Sequence, residues 1–365
     1  MGVLNRVSRV MPMREISILS LLVICQGVLT LWPVSHAAAA SPSHDPLFAS
    51  DEPLTITLTG PFKTLDKNRD KTADYAPGSL SYLSSEGPVD IETSYRPRGN
   101  FRLKKENCSH AQLWLELKKK QTQDTLFANQ KKLKLVVQCR DSKRYRGYLR
   151  KEYQAYRMLN TLTDASYRVR WAEVTYRDVD GKKLRTASGF FIEHKNRLAD
   201  RLGLATVDAQ RISKTELDPE QATMMAMFNY FIGNADFSLI ASTEGSCCHN
   251  AKLFQADDDE PYLPIIYDFD SSGYVDAPYA IAPAKLNLRS VKQRLYRGFC
   301  VEPDIFDATL EAFQTHRDSL LGMAAETSFV SKRTSKKAVS YLEDFYDVID
   351  DPDTLDRKII GVCRP

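Results

Sequence analysis

The segment from Asp218 to Gly233 constrains this chain more than any other, because large apolar side chains sit on nearly all of its faces. Met224, Met225, Met227, Phe228, Phe231 and Ile232 follow an Asp-Pro-Glu start signal at 218–220, the kind of opening that initiates a helix. A helix without a broad polar face must be enclosed on most sides, so the remaining chain has to wrap it. Its methionines read as core packing rather than a cofactor box, since unbranched thioethers fill irregular gaps well. The stretch that follows, Asn234 to Asp270, has the opposite character. It sets an Asp (236), a His-Asn pair (249–250) and an Asp-Phe-Asp (268–270) in order, with two short apolar runs before the last of these. A phosphoryl-transfer site needs that order: a carboxylate for the acceptor hydroxyl, an amide for a metal, and a further carboxylate for the metal.

Upstream, apolar and polar residues alternate over Leu54–Thr59, Val89–Tyr95, Gln112–Leu117, Lys132–Val137, Val169–Tyr176 and Gly189–Glu193, with turn signals between them. This predicts an antiparallel, β-rich region. One helix interrupts it, Tyr148–Leu162, where Leu149, Tyr153, Tyr156, Leu159 and Leu162 recur at helical spacing. Glu152 lies at the edge of that stripe, and a carboxylate there needs a partner: a strand lysine, or an arginine such as Arg168 or Arg170. The charged run Asp66–Asp74 lacks the Gly and terminal Glu of a calcium loop and reads as solvent-exposed. After Glu193 come a basic helix or turn (196–204), the apolar helix, a hairpin (Ala251–Phe254 with Leu263–Tyr267), and helices over 291–296, 303–323 and 331–349. Arg294 and Arg297 read as a solvated helix face.

Residues 1–40 are different material. Arg6, Arg9 and Arg14 precede an apolar run from Ile16 to Trp32, and small residues follow. That is the layout of a secretory signal peptide, cut between Ala37 and Ala40, and the run falls short of the ~20 residues that span a bilayer. The organisation expected is signal peptide (1–40), extended leader (41–53), β-rich half (54–193) and helical half (194–365), exported to the periplasm or beyond the cell with no stable membrane span after cleavage. Loss of residues 1–40 takes three arginines and Glu15, lowering the formal charge from +3 to +1. A near-neutral chain is a poor partner for nucleic acid. Six cysteines then remain: Cys108, Cys139, Cys247, Cys248, Cys300 and Cys363. An even count in an exported chain suggests disulfides. Pairing of the adjacent Cys247 and Cys248 is set aside as geometrically strained, and the other pairings stay open.

The chain resembles the CotH-type family of secreted kinase-like proteins. The residues that carry the resemblance are SYRPRGNFR (94–102), KLKLVVQC (132–139), SYRVRWAEVTY (166–176), GFFIE (189–193), Asn-Ala-Asp (234–236), HNAKLF (249–254) and PIIYDFD (264–270). Together they extend over most of 90–280 in the family's order. The resemblance implies an α+β, two-lobed protein-kinase-like fold, with a β-rich N-lobe and a mainly helical C-lobe. It implies ATP with Mg²⁺ or Mn²⁺, and transfer of phosphate to Ser or Thr of an exported protein. Lys134 (or Lys132) then neutralises phosphate charge and Glu152 holds it. Asp236 orients the acceptor hydroxyl, and Asn250 with Asp268, or Asp270, binds metal. Arg98 and Gly99 lie over the phosphates, and the Glu193 segment meets adenine. Two departures stand out: the step from Asp236 to Asn250 is 14 residues rather than about five, and the last motif ends in Asp rather than Gly. A catalytically inactive relative acting in binding or assembly, and a metal hydrolase built on the same carboxylates, use the same residues.

Overall fold

A computed structural model describes residues 45–242, 245, 247–328 and 330–365; the expected signal peptide lies outside the described residues. The first half supplies β1 (Leu54–Thr59), α1 (Phe62–Asn68), β2 (Ala76–Ser84), β3 (Gly87–Arg98), β4 (Gln112–Leu117), α2 (Lys119–Thr122), β5 (Lys132–Val137), α3 (Lys143–Leu162), β6 (Val169–Arg177) and β7 (Lys183–Ile192). The seven strands close into a barrel in the order β1-β2-β3-β4-β5-β7-β6. Neighbours are antiparallel except at the seam, where β1 runs parallel to β6 with Ile56 opposite Val174. This corrects the two-lobed protein-kinase-like expectation: a closed barrel is not that fold. Strand β1 is occupied on both sides, by β2 and by β6, so the barrel presents no open sheet edge.

Period-two alternation sorts the side chains. Leu133, Leu135 and Val137 of β5 face the barrel interior with Ile56, Leu58, Ile91, Val174 and Phe191. Val136, Trp171, Phe190 and Ile192 point outward, into a second core shared with α3 and the apolar helix. Strand β7 is thus buried on both faces at Gly189–Ile192, which is why GFFI reads as a continuous apolar run. Full burial of each such large side chain contributes ~1.5–3 kcal/mol.

The second half contains α4 (Lys195–Leu202), β8 (Ala205–Val207), α5 (Pro219–Phe231), β9 (Ala251–Gln255), β10 (Leu263–Ile266), α6 (Pro303–Thr315), α7 (Arg317–Ala325), α8 (Lys332–Ile349) and α9 (Pro352–Lys358). Strands β8 to β10 form a separate three-stranded sheet. Helix α5 is the apolar segment, capped by Asp218, whose carboxylate accepts from Gln221 N–H at 2.7 Å. It is enclosed as its composition requires: Phe231 meets the rings of Phe313, Phe345 and Tyr346, and Phe228 meets Phe269.

Several local expectations need correction. The expected extended leader contains Leu47 and Phe48, both buried, and Asp45, which pairs with Arg197 at 2.8 Å. Asp66 is not solvated: it accepts from Ala111 N–H and pairs with Arg185, while Arg69 is buried against main-chain carbonyls of 103, 108 and 109. The long helix foreseen over 303–323 breaks at His316 into α6 and α7, and no helix forms over 291–296. There Arg294 reaches the carbonyls of Tyr230 and Phe231 at the end of α5, where a cation complements the helix dipole. Three disulfides form, Cys108–Cys139, Cys247–Cys248 and Cys300–Cys363, as befits a chain that folds outside a reducing cytoplasm. The adjacent pair set aside on geometric grounds is therefore bonded. Its peptide is cis, which brings the two Cα atoms to 3.0 Å. Among the described residues, no helix is long and apolar enough to cross a membrane.

Candidate functional site

Helix α5 ends above a tightly held turn. Gly233 has φ of +63°, and a Cβ there would lie 1.9 Å from the Tyr341 hydroxyl, so only glycine fits. Asn234 then bridges the turn, donating from Nδ2 to Asn229 Oδ1 at 2.9 Å and accepting the Asp236 N–H on its own Oδ1 at 3.1 Å. From the opposite side Arg297 donates to the carbonyls of Ala235, at 2.6 Å, and Phe237. Arg294 and Arg297 are therefore half-buried scaffolding beneath Asp236, not a solvated face. Asp236 itself points outward, with His249 Nε2 2.7 Å from Oδ1 and Asn250 Nδ2 donating to its carbonyl at 2.7 Å and to Oδ2 at 3.3 Å.

The long step between Asp236 and Asn250 closes because the chain folds back on itself. Ser238 and His249 form a bridge, with Ser238 N–H donating to the His249 carbonyl at 2.9 Å. Cys247 N–H donates to the Ala209 carbonyl, and the buried Cys247–Cys248 pair sits directly before His249. Fourteen residues of sequence thus become one contact in space.

Strand β10 delivers the second part of the site. Phe269 is fully buried between Tyr156 of α3, 4.6 Å away by ring centroid, and Phe228 of α5. That anchor leaves its two aspartates on either side. Asp268 has φ of +67°, and its N–H donates to the Tyr156 hydroxyl at 2.8 Å. Asn250 is likewise left-handed at +53°, a conformation Asn and Asp tolerate better than other non-glycine residues. Asp270 is engaged by Arg102, at 2.6 Å from Nη2 and 2.9 Å from Nε, and the same Nη2 lies 2.7 Å from Glu152 Oε2. The partner that Glu152 requires is thus Arg102, neither Arg168 nor Arg170 nor the strand lysine. Arg102 had been visible only as the end of RPRGNFR; the buried carboxylate on α3 was the signal that something cationic had to reach it.

These groups line one cleft of about 700 Å³, which Arg98, Gly99, Lys134, Asp236, Asn250, Asp268 and Asp270 share. Val136, Ile192 and Trp114 give it an apolar wall. Glu193 does not join them: its carboxylate is turned away, held by Arg201 at 2.9 Å and by the Arg168 N–H at 3.1 Å. Lys132 pairs with Glu116 at 3.8 Å near the surface, whereas Lys134 enters the cleft with its ammonium 4.9 Å from the Tyr267 ring centroid. Neither Lys134 nor Arg98 has a hydrogen-bond or ion-pair partner among the described residues. Burial pushes Lys134 down to about 7, the Arg98 charge adding to the effect and Asp268 and Glu152 opposing it. Burial also raises Glu152 to about 7, with Arg102 opposing and Asp270 and Asp268 reinforcing.

Among the described residues the Asp268 carboxylate oxygens and Asn250 Oδ1 accept no hydrogen bond, since the Asn250 amide donates its N–H groups to Asp236. Both are hard donors suited to Mg²⁺ or Mn²⁺. Among the described residues no group of three or more His, Cys, Asp or Glu is arranged to hold a metal alone. A divalent ion here fits the pattern of one or two protein oxygens completed by phosphate oxygens and water. Comparison of the chain with protein-family models and with curated proteins finds no match.

Proposed function

We propose that the cleft binds the polyphosphate of a nucleoside triphosphate with Mg²⁺ or Mn²⁺, and that the chain transfers the terminal phosphoryl group to a hydroxyl of an exported protein. The observation that carries this reading is a pair of cations, Arg98 and Lys134, that form no hydrogen bond or ion pair among the described residues and share a cleft with Asp236, Asn250 and Asp268. Two cations set in a partly buried cleft and in ion-pair contact with none of its carboxylates call for an anionic ligand. The order of these residues is also what resembles the CotH-type proteins, and the disulfides suit a target outside the cytoplasm.

In the reaction, the Asp236 carboxylate accepts the hydroxyl proton as the acceptor oxygen bonds to phosphorus and the bond to the leaving diphosphate breaks. His249 and Asn250 keep that carboxylate in one orientation, and Arg98 and Lys134 offset the charge left on the diphosphate. Asn250 and Asp268 would hold a divalent ion, which when bound neutralises the phosphate oxygens.

Thermal denaturation with a non-hydrolysable triphosphate tests the reading. Saturation to 100 times Kd should add ~2.7 kcal/mol of stability, only with Mg²⁺ or Mn²⁺ present, and Asp268→Ala should abolish the metal-dependent part. Labelled ATP should deliver phosphate to protein hydroxyls. No metal-dependent stabilisation would sink the binding half; stabilisation without transfer would identify an inactive binding protein.

The pH dependence has a defined sign. As pH rises through about 7, Lys134 loses its proton and Glu152 gains charge, and both changes repel a polyphosphate. Affinity should fall with rising pH, by up to ~10-fold per unit for one coupled proton. Lys134→Met should bind more weakly and with a flatter profile, a comparison that cancels the ligand's own ionisation. Parallel titration curves for the two proteins would refute a role for Lys134.

A further inference from the structure

A second and larger cleft, about 940 Å³, lies between the first turns of α3 and the facing side of α8. Its α3 wall carries Lys143, Arg144 and Lys151, and its α8 wall carries Lys337. Two other cations at the rim are already matched, Arg146 by Glu173 and Lys292 by Asp276, both at less than 3 Å. Asp344 is the remaining carboxylate. An excess of positive charge is therefore gathered in one depression of a chain whose charge beyond residue 40 is close to neutral.

The depth of the cleft repeats the message. Lys151 is 7% exposed, and its ammonium donates to the Tyr274 carbonyl at 2.8 Å, with no carboxylate within ion-pair distance among the described residues. Its one hydrogen bond goes to a carbonyl, and the carboxylate that favours its charge, Asp276, is already paired with Lys292, so the ammonium is under-compensated; burial pushes it down to about 8, with Asp276 opposing and Lys292 reinforcing. Nothing in the phosphoryl-transfer site uses this group. Shape decides what supplies the missing charge. Arg144 and Lys151 are two turns apart on one face of α3, a span of ~10 Å at 1.5 Å per residue. Thr334, Lys337, Tyr341 and Asp344 line the facing α8 over ~15 Å. A single phosphate is far shorter than this row; an extended acidic peptide spans it, at ~3.3 Å per residue, and the half-buried Tyr148 and Tyr341 rings that line the same cleft offer surface to its stems.

We propose that this cleft docks an acidic polypeptide segment of a protein partner. The inference rests on this cleft alone and holds whether or not the other one transfers phosphate. The test is fluorescence anisotropy of a labelled oligo-glutamate peptide with the full chain at low salt. Binding should weaken with added salt, and Lys143→Glu combined with Lys337→Glu should weaken it at least ~10-fold. Both lysines are exposed, so the double variant should keep its fold by circular dichroism and keep the metal-dependent stabilisation by nucleotide. Equal binding by wild type and double variant, loss of binding on Arg98→Ala instead, or displacement by inorganic phosphate at concentrations equal to the peptide's would each overturn the proposal. The last of these would mark a small-anion site.

Discussion

Replacing Arg102 with methionine should destabilise the folded chain by ~3–5 kcal/mol, the range for removing one partner of a buried ion pair. The side chain is 11% exposed, and its two carboxylate partners, Glu152 and Asp270, are 3% and 12% exposed. Without the guanidinium both are left close together in a poorly solvated pocket, with only Arg98 and Lys134 nearby to offset them. The size of the effect should depend on pH. Glu152 already has its folded pKa raised above the ordinary carboxylate value, and Arg102 is what opposes the rise. Removing Arg102 raises it further. A carboxylate raised on folding contributes stability that is lost as pH climbs from its unfolded value, ~4.3, through its folded one. The variant should accordingly lie closer to wild type at pH 5 than at pH 8. Urea denaturation at both values reads this directly, and Glu152→Gln in the Arg102→Met background should recover part of the loss at pH 8. A small loss that is the same at both pH values would mean that the triad is solvated and structurally minor. Arg102→Lys should rescue poorly, because one ammonium cannot reproduce the fork that serves both carboxylates.

This triad also shows why the site was only partly legible. Lys134, Asp236, Asn250, Asp268 and Asp270 announce themselves by residue type and order, and Arg98 and Gly99 by their turn. Arg102 does not, since its partners lie 50 and 168 residues away and no local pattern records such a pairing. The strands divide along the same line. Strands β4 and β5 alternate cleanly and have the bounds their sequence predicts. Strand β2 was missed because Pro77 and Gly78 punctuate it like a turn. Gly78 is there for the opposite reason: a Cβ would come within 2.1 Å of the Thr59 carbonyl on the neighbouring strand, so the residue that disguises the strand is what permits the pairing. Closure of the barrel depends on β1 lying parallel to β6, more than a hundred residues away. A non-local parallel pairing leaves no periodic signature in either strand. Similarity of motifs over 90–280 therefore carried information about which residues gather, and misjudged the scaffold that gathers them.

The division of labour proposed for Asp236 and Asp268 gives the sharpest chemical expectation. Asp236→Asn should lower phosphoryl transfer by ~10²–10⁴-fold, the usual contribution of a positioned acid or base, while nucleotide and metal still bind. The reasoning is geometric. An amide in place of the carboxylate keeps the side-chain volume, and the 2.7 Å contact from Asn250 Nδ2 goes to the main-chain carbonyl of residue 236, which the substitution leaves in place. The cradle formed by Asn234 and Arg297 also holds main-chain atoms. What disappears is the anionic acceptor for the hydroxyl proton. His249, 2.7 Å from Oδ1, is a positioning residue: its replacement by alanine should lower transfer less than Asp236→Asn and leave metal-dependent stabilisation intact. Asp268→Ala should fail one step earlier, losing metal-dependent stabilisation together with turnover. Single-turnover transfer and thermal shift on the same preparations separate the two. Equal loss of binding in both variants would collapse the distinction and make Asp236 a second metal ligand, while unchanged transfer in Asp236→Asn would remove it from the reaction.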